Sequence, residues 1–247
     1  MKTELKSGVG PINRPIMQQT WNDLLFASWP VRQSFLRSRL PSGLQLDQFH
    51  GTCWITVTPL EMVNVGLTAF ASVFAFKPFV ELNLRTYVVH NDKPGVFFFS
   101  LDTNNPFVAK VARLWYHLPY FFSTMSLEKG DPFRVSSDRL SGNPMEGTLQ
   151  CEYRSKGTPF ESSPGSLEEW LTERYVLHTV DAKNRVRSAA IRHPRWTLHR
   201  ADATVSKNTL PHFPQDVDLL GEPLFLFSRS LNVDVWTPQF ESGKKGN

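Results

Sequence analysis

The chain has 247 residues, of which 40% are hydrophobic, 13% are aromatic and 20% are charged. This composition can bury enough apolar surface to offset chain entropy, which excludes a wholly disordered protein. The net charge of +4 is too small to indicate a polyanionic partner. Two cysteines are too few for a disulfide framework, so we expect a reducing, cytoplasmic location.

The two ends of the chain carry little periodic pattern. We therefore predict an N-terminal tail over 1–19, one folded domain over 20–240 and a C-terminal tail over 241–247. The apolar run over 65–76 is shorter than the ~18 residues that a membrane helix needs. The N-terminus has no apolar signal-peptide core, and no membrane contact is expected.

Three short helices are predicted in chain order. Apolar residues have helical spacing over 31–40, the pair Asn105-Pro106 is typical of a helix start, and Ser166 with Glu169 forms a capping-box pattern. The other periodic segments alternate as strands do, with hairpin turns between neighbours. The predicted strands are 54–58, 81–90, 96–101, 121–128, 132–139, 147–154, 175–181, 185–192 and 224–235. One mainly antiparallel β-domain accounts for this order.

The segment 81–88 separates its side chains into a polar and an apolar face. Because strand side chains alternate, one face holds Glu81, Asn83, Arg85 and Tyr87. One interpretation is a surface sheet whose polar face meets water. The other is a row that lines a cavity, where Arg85 holds a carboxylate and Glu81 transfers protons.

Polar side chains in two other segments could also have either a structural role or a role in a pocket. Glu173 either closes a helix-to-strand corner or faces a pocket. The segment 115–122 is rich in aromatic rings, most of which we expect in the core. Within it, Trp115 could form a pocket wall, and the polar tips of His117 and Tyr120 could meet a ligand.

The stretch 183–200 is the most basic part of the chain. From Asp181 to Arg200 there are six basic residues and one acid, a local charge of +5. With its interleaved aromatic rings this stretch could grip a phosphate backbone, or it could be the solvated face of a hairpin. Nucleic acid is the less favoured partner.

Motifs typical of a catalytic serine, a nucleotide loop or a zinc protease are absent from the sequence. His50 and Cys53 have a ligand-like gap but no second pair nearby. We therefore predict neither a metal nor a cofactor.

Several longer segments together carry a family resemblance. They are Thr20 to Phe26, Leu40 to Leu44, Glu81 to Val88, Pro94 to Asp102, Leu118 to Tyr120, Leu171 to Tyr175, His193 to Trp196 and Phe227 to Arg229. In this order, over 20–238, the chain resembles the YqjF-like family of uncharacterised bacterial proteins, which is grouped with the acetoacetate decarboxylase-like superfamily. The resemblance implies a mainly β fold, a single antiparallel β-barrel or cone around a central cavity. It favours the cavity interpretation of the Glu81 row.

The resemblance also bears on chemistry. Enzymes of this superfamily form a Schiff base through a lysine that follows proline, with a second lysine beside it. Here Tyr120 and Phe121 follow Pro119, and a phenol cannot form an imine. Schiff-base decarboxylation is therefore not expected. Lys110 is the nearest substitute, although its spacing does not place it at the site.

Glu81 resembles the acidic residue of the superfamily's pocket strand, and Asn22 aligns loosely with a substrate-binding arginine. Because superfamily enzymes assemble, a homo-oligomer is possible.

Three functions are consistent with these residues. The first is binding of a small, anionic or carbonyl-bearing molecule in an internal pocket. The second is a non-catalytic interaction protein that uses 183–200 for nucleic acid or an acidic partner. The third is a lyase or hydrolase with Glu81 and Tyr120 as its acid–base pair. The predicted ligand-binding residues are Arg85, Asn83, Tyr87, Trp115, His117, Glu173 and Arg229.

Overall fold

The computed structural model describes residues 14–68, 76–139 and 145–240, with Trp115 described by its backbone alone. Its strands are β1 Met17–Val31, β2 Gln45–Leu46, β3 Cys53–Leu67, β4 Phe79–His90, β5 Lys93–Thr103, β6 Tyr120–Phe122, β7 Thr124–Glu128, β8 Phe133–Arg139, β9 Gly147–Phe160, β10 Val176–Val180, β11 Val186–Arg192, β12 Leu198–Asn208, β13 Leu224–Val235 and β14 Gln239–Phe240. The helices are α1 Gln33–Arg37, α2 Pro106–Tyr116 and α3 Leu167–Thr172.

The three predicted helices are confirmed, and two of them begin at the predicted caps. The Asn105 side chain accepts hydrogen bonds from the backbone N–H groups of Phe107 and Val108, which α2 leaves without helical partners. The Ser166 hydroxyl accepts from the N–H of Glu169 in the same way. The Glu169 carboxylate in turn accepts from Gly165. These caps act within a few residues, which is why the sequence reveals them.

The strands form one sheet that closes on itself. In hydrogen-bonded order the sheet contains β11, β10, β5, β4, β3, β1 and β13, and a further pairing of β11 with β13 closes these strands into a ring. From β13 the sheet continues through β12, β9, β8 and β7. Most pairings are antiparallel, as predicted. Two are parallel, β5 with β10 and β5 with β6.

The parallel pairing of β5 with β10 depends on a glycine. A Cβ atom at Gly95 would lie 2.5 Å from the backbone oxygen of Val176, at the start of β10. Only a residue without a side chain lets the two backbones come this close. Parallel neighbours also need a long crossover, and here it contains α2, α3 and strands β6 to β9.

The two faces of the ring belong to separate apolar clusters. All seven ring strands contribute to one cluster, which includes Leu24, Leu60, Tyr87, Leu101, Leu177, Ile191 and Val233. Because every strand of the closed ring contributes to it, this cluster occupies the interior. The alternate residues, such as Leu25, Leu82 and Leu84, pack outside the ring against Phe133 of β8 and Tyr153 of β9. The continuation of the sheet therefore covers part of the outer face.

A buried ion pair joins this outer layer to the ring. The Arg139 guanidinium on β8 lies 2.6 Å from the Asp102 carboxylate on β5, and both side chains are almost fully buried. The Ser137 hydroxyl also donates to Asp102. Burial raises the pKa of Asp102, and the hydrogen bonds from Arg139 and Ser137 oppose that rise.

Two long strands were not predicted. β1 is buried on both faces over residues 24–29, so its apolar residues form a continuous run without alternation. A register shift after Asn22, with Asp23 at a φ of 51°, interrupts the pattern further. β12 does alternate, but alanines at 201 and 203 provide only a weak strand signal. β1 begins at Met17, inside the predicted tail.

In the portion of the chain that is described, every helix is too short or too polar to cross a membrane. Both cysteines are free thiols with buried side chains.

Candidate ligand-binding site inside the ring

The polar row of β4 faces the interior of the ring. Glu81, Asn83 and Arg85 are 5%, 7% and 6% exposed, and Tyr87 is fully buried. The row therefore does not face bulk water, contrary to the surface-sheet interpretation. Burial of three polar groups is costly unless partners satisfy them, so their contacts indicate what the interior can bind.

The predicted pair of Glu81 and Tyr120 is in direct contact. The Tyr120 hydroxyl donates to a carboxylate oxygen of Glu81 over 2.7 Å. Tyr120 begins β6, which pairs in parallel with β5, and β5 pairs with β4, so the sheet itself aligns the two residues. Residues 39 positions apart in the sequence meet through this pairing.

Burial changes the protonation of both groups. It raises the pKa of Glu81 to about 7, against the lowering effect of hydrogen bonds from Tyr120 and Asn83. Burial and the neighbouring Glu81 raise the pKa of Tyr120 well above its ordinary value. Near neutral pH Glu81 can therefore either hold or release a proton, while Tyr120 keeps its own.

The guanidinium of Arg85 is a buried cation that lies next to the end of α3. One of its nitrogens, Nη2, donates to the backbone oxygen of Leu171 over 3.2 Å. Its Nε is buried without a hydrogen-bond partner, and no carboxylate among residues 14–68, 76–139 and 145–240 forms an ion pair with it. The Oδ1 atom of Asn83, one step along the same face, also has no hydrogen-bond partner in the described part of the chain.

The end of α3 gives Arg85 a structural contact as well. The Leu171 oxygen also accepts from the Tyr87 hydroxyl over 3.1 Å, and the Trp170 oxygen accepts from Arg174 over 2.6 Å. Cations near the carbonyl end of a helix are stabilised by its dipole. Unlike Arg85, Arg174 has a carboxylate partner, Asp47, at 2.6 Å. Arg85 thus donates only one hydrogen bond to the helix end.

The other predicted residues are more widely spread. Glu173 accepts from the Tyr175 hydroxyl and from the Trp196 backbone N–H, so it closes the corner between α3 and β10. His117 ends α2 in the left-handed region, and its backbone oxygen accepts from Thr179. The side chain of Trp115 lies outside the described residues.

Arg229 and Asn22 lie away from the polar row. Arg229 has a 65% exposed side chain and an ion pair of 2.7 Å with Asp23. The structure therefore does not bring it to the enclosed group around Arg85. Asn22 accepts from Ser230 in an exposed hydrogen bond. The loose alignment of Asn22 with a substrate-binding arginine receives no support from this position.

The basic stretch 183–200 is largely neutralised by carboxylates within the protein. Each arginine of this stretch, including Arg200 at its end, has a carboxylate partner. The ion pairs are Arg185 with Asp181 at 2.6 Å, Arg187 with Asp181 at 3.9 Å, Arg192 with Asp234 at 2.6 Å, Arg195 with Glu169 at 3.6 Å and Arg200 with Glu168 at 2.6 Å. This arrangement leaves little free positive charge for a polyanion.

Two residues near the site were not identified from the sequence. His193 stacks on Tyr175 with ring centroids 4.6 Å apart, and burial lowers its pKa. The Tyr116 side chain is buried in the interior cluster, and burial raises its pKa. His193 lies in one of the segments that carry the family resemblance, and this was the signal in the sequence that could have identified it.

Comparison with solved structures defines the class of fold. An acetoacetate decarboxylase-like enzyme from Sphingomonas wittichii RW1 superimposes with a TM-score of 0.60 and 12% identity, over 94% of this chain and 99% of that one. The enduracididine biosynthesis enzyme MppR in complex with pyruvate gives a TM-score of 0.59 and 12% identity, over 95% of this chain and 93% of that one. The fold is therefore acetoacetate decarboxylase-like, as the sequence resemblance implied.

The sequence places the chain more narrowly. Residues 18–232 match DUF2071, a family of uncharacterised conserved proteins, and the chain belongs to it. It is 39% identical to the uncharacterised protein YqjF of Bacillus subtilis (strain 168) over 222 residues, which is 90% of both chains. The predicted family is confirmed.

Proposed function

We propose that this protein binds a small, anionic or carbonyl-bearing molecule inside the ring, with Arg85 and Asn83 as its polar anchors. The observation that carries the proposal is the buried Arg85 guanidinium with no carboxylate partner in the described chain. A buried cation is costly without a counter-ion, and a ligand carboxylate would supply one in a bidentate contact. The pyruvate complex of MppR, which shares the fold, makes a small keto acid a reasonable first probe.

Binding of pyruvate, measured by calorimetry, tests this proposal. Arg85→Gln should weaken binding by about tenfold or more, because it removes a buried charge-assisted contact. Arg85→Lys keeps the charge and should retain part of the affinity.

Tyr87→Phe is the matched control for the structural role of Arg85. It removes the other hydrogen bond to the Leu171 oxygen without removing charge. A folded Arg85→Gln variant that binds pyruvate as well as the unmodified protein would contradict the proposal.

The ligand is held without an imine in this proposal. All lysines among the described residues, Lys77, Lys93, Lys110, Lys129, Lys156, Lys183 and Lys207, are exposed, and none belongs to the interior cluster. A Schiff-base lysine has to lie inside the site, desolvated and in reach of the substrate carbonyl, and none of these exposed side chains does so. Borohydride with acetoacetate should therefore trap no adduct. A lysine-linked adduct in the mass spectrum would contradict this part of the proposal.

A second candidate function rests on the contact between Glu81 and Tyr120. A carboxyl group with a pKa of about 7, hydrogen-bonded to a phenol, suits general acid–base chemistry at neutral pH. The protein would then be a lyase or hydrolase acting on the bound molecule. Turnover of small keto or hydroxy acids should be lost in Glu81→Gln while pyruvate binding persists. If the unmodified protein binds pyruvate but turns over none of these acids, the lyase or hydrolase candidate is contradicted and binding alone remains.

A further inference from the structure

A hollow lies on the outside of the molecule, away from the polar row of β4. Its volume is about 370 Å³, and it is bordered by the turn between β7 and β8, by β9 and by β13. Three cationic side chains, Lys129, Arg154 and Arg229, line it together with Asp131 and Phe133. The lining thus carries three positive charges and one negative charge. Arg229, a predicted ligand-binding residue, is in this hollow and not inside the ring.

A buried carboxylate below the hollow holds two of the cations in place. The Asp23 side chain is only 6% exposed, and its oxygens lie 2.7 Å from Arg229 Nη1 and 3.4 Å from Lys129 Nζ. Lys129 also contacts Glu61 at 2.6 Å. Asp23 sits at the register shift of β1, and its backbone oxygen accepts from the Tyr153 hydroxyl over 2.6 Å. Asp23 and Glu61 therefore hold Arg229 and Lys129 at the edge of the hollow.

Several donors at this hollow are uncommitted. Arg229 makes one hydrogen bond in the described part of the chain, through Nη1, which leaves its Nε and Nη2 groups available. Arg154 makes no side-chain hydrogen bond to any described residue, and its ion pair with Asp131 spans 3.7 Å. Both members of that pair are more than half exposed, so the pair holds Arg154 only weakly.

We propose that this hollow binds a small organic phosphate monoester. A tetrahedral phosphate offers three terminal oxygens, which can face three cations that come from three different elements. Arginine forks suit phosphate oxygens in a bidentate contact. Because Asp23 and Glu61 already offset part of the positive charge, the phosphate would be held mainly by the uncommitted N–H groups of Arg154 and Arg229. The volume exceeds what a bare ion fills and falls within the range of small-ligand sites, so an organic group fits beside the phosphate, near the Phe133 ring.

Calorimetry with phenyl phosphate tests this assignment, with benzoate and a phosphoserine hexapeptide as comparison ligands. Phenyl phosphate should bind saturably, and benzoate should bind at least about tenfold more weakly because it lacks the second charge and the third oxygen. The peptide should bind no more tightly than phenyl phosphate. Tighter binding of the peptide would overturn the assignment to a free small molecule.

Two exposed arginines of the outer sheet provide matched variants. Arg154→Gln should weaken phenyl phosphate by about tenfold, since it removes a cation that the fold does not use. Arg134→Gln, at an equally exposed arginine paired with Glu152, should leave affinity unchanged. If both variants weaken phenyl phosphate binding equally, the attraction is general and the proposed site is wrong. The absence of saturable binding would also contradict the proposal. Glu81→Gln should have no effect, which separates this site from the interior one.

Discussion

Glu81 shows how strongly the fold can change a single side chain. Its carboxyl group lies inside the ring, where burial favours the neutral form and raises its pKa from 4.5 to about 7. The Tyr120 hydroxyl and Asn83 stabilise the charged form, but burial has the larger effect. The group therefore titrates near neutral pH, whereas an exposed glutamate would be fully ionised there.

This shift predicts how stability depends on pH. Between about pH 4.5 and 7 the folded state holds a proton on Glu81 that the unfolded state has lost, so stability falls as pH rises through this window. Glu81→Gln stays neutral at every pH and still offers an amide oxygen to Tyr120. Relative to the unmodified protein, the variant should gain up to about 3 kcal/mol of stability between pH 4.5 and 7. Urea unfolding at pH 5 and 8 measures this, and parallel pH profiles for the two proteins would contradict it.

At the scale of the element, β5 is the strand on which the interior site depends. It pairs with β4, which carries the polar row, with β6, which carries Tyr120, and with β10, which helps to close the ring. The approach of β10 requires Gly95, because the backbone oxygen of Val176 occupies the space of a side chain.

Gly95→Ala should therefore destabilise the protein by about 1 to 3 kcal/mol, the usual cost of overpacking. Thermal unfolding followed by circular dichroism measures the loss. Gly221→Ala is the matched control, because a Cβ atom there would lie 3.7 Å from Pro30, an ordinary contact. If both variants have the same melting temperature, the close approach of β5 to β10 does not require glycine at residue 95.

At the scale of the whole molecule, the charge of a segment depends on the carboxylates that other elements bring next to it. The local excess over 183–200 is offset by acids that come from distant parts of the sequence, such as Asp234 on β13 and Glu168 on α3. A count along the chain does not detect this neutralisation.

We therefore expect weak binding to nucleic acid. Fluorescence anisotropy with a labelled duplex at low salt should show no tight, salt-dependent complex, because the arginines of 183–200 are already paired with carboxylates of the protein. Replacing Arg185, Arg187 and Arg192 together should change the result little. A tight complex that this triple variant abolishes would restore the interaction-protein hypothesis.

The sequence predicted the local features well and the long-range ones poorly. Helix caps at Asn105 and Ser166 involve neighbours within three residues, so their pattern is visible in the chain. β1 was missed because burial on both faces removes alternation, and the parallel pairs of β5 were missed because turn chemistry reports only on hairpins. The contact of Tyr120 with Glu81 was proposed as a pair, but its geometry depends on a strand that lies between them.

The sequence by itself determined the mainly β class, the family, and the separation of β4 into a polar and an apolar face, because strand alternation and capping are properties of adjacent residues. Only the tertiary structure decided that the polar face lies inside. It also decided that Arg85 has no carboxylate partner in the described chain, whereas Arg229 has Asp23 and an outer hollow. The physical reason is that burial and charge pairing depend on strands that are far apart in the sequence and meet only when the ring closes.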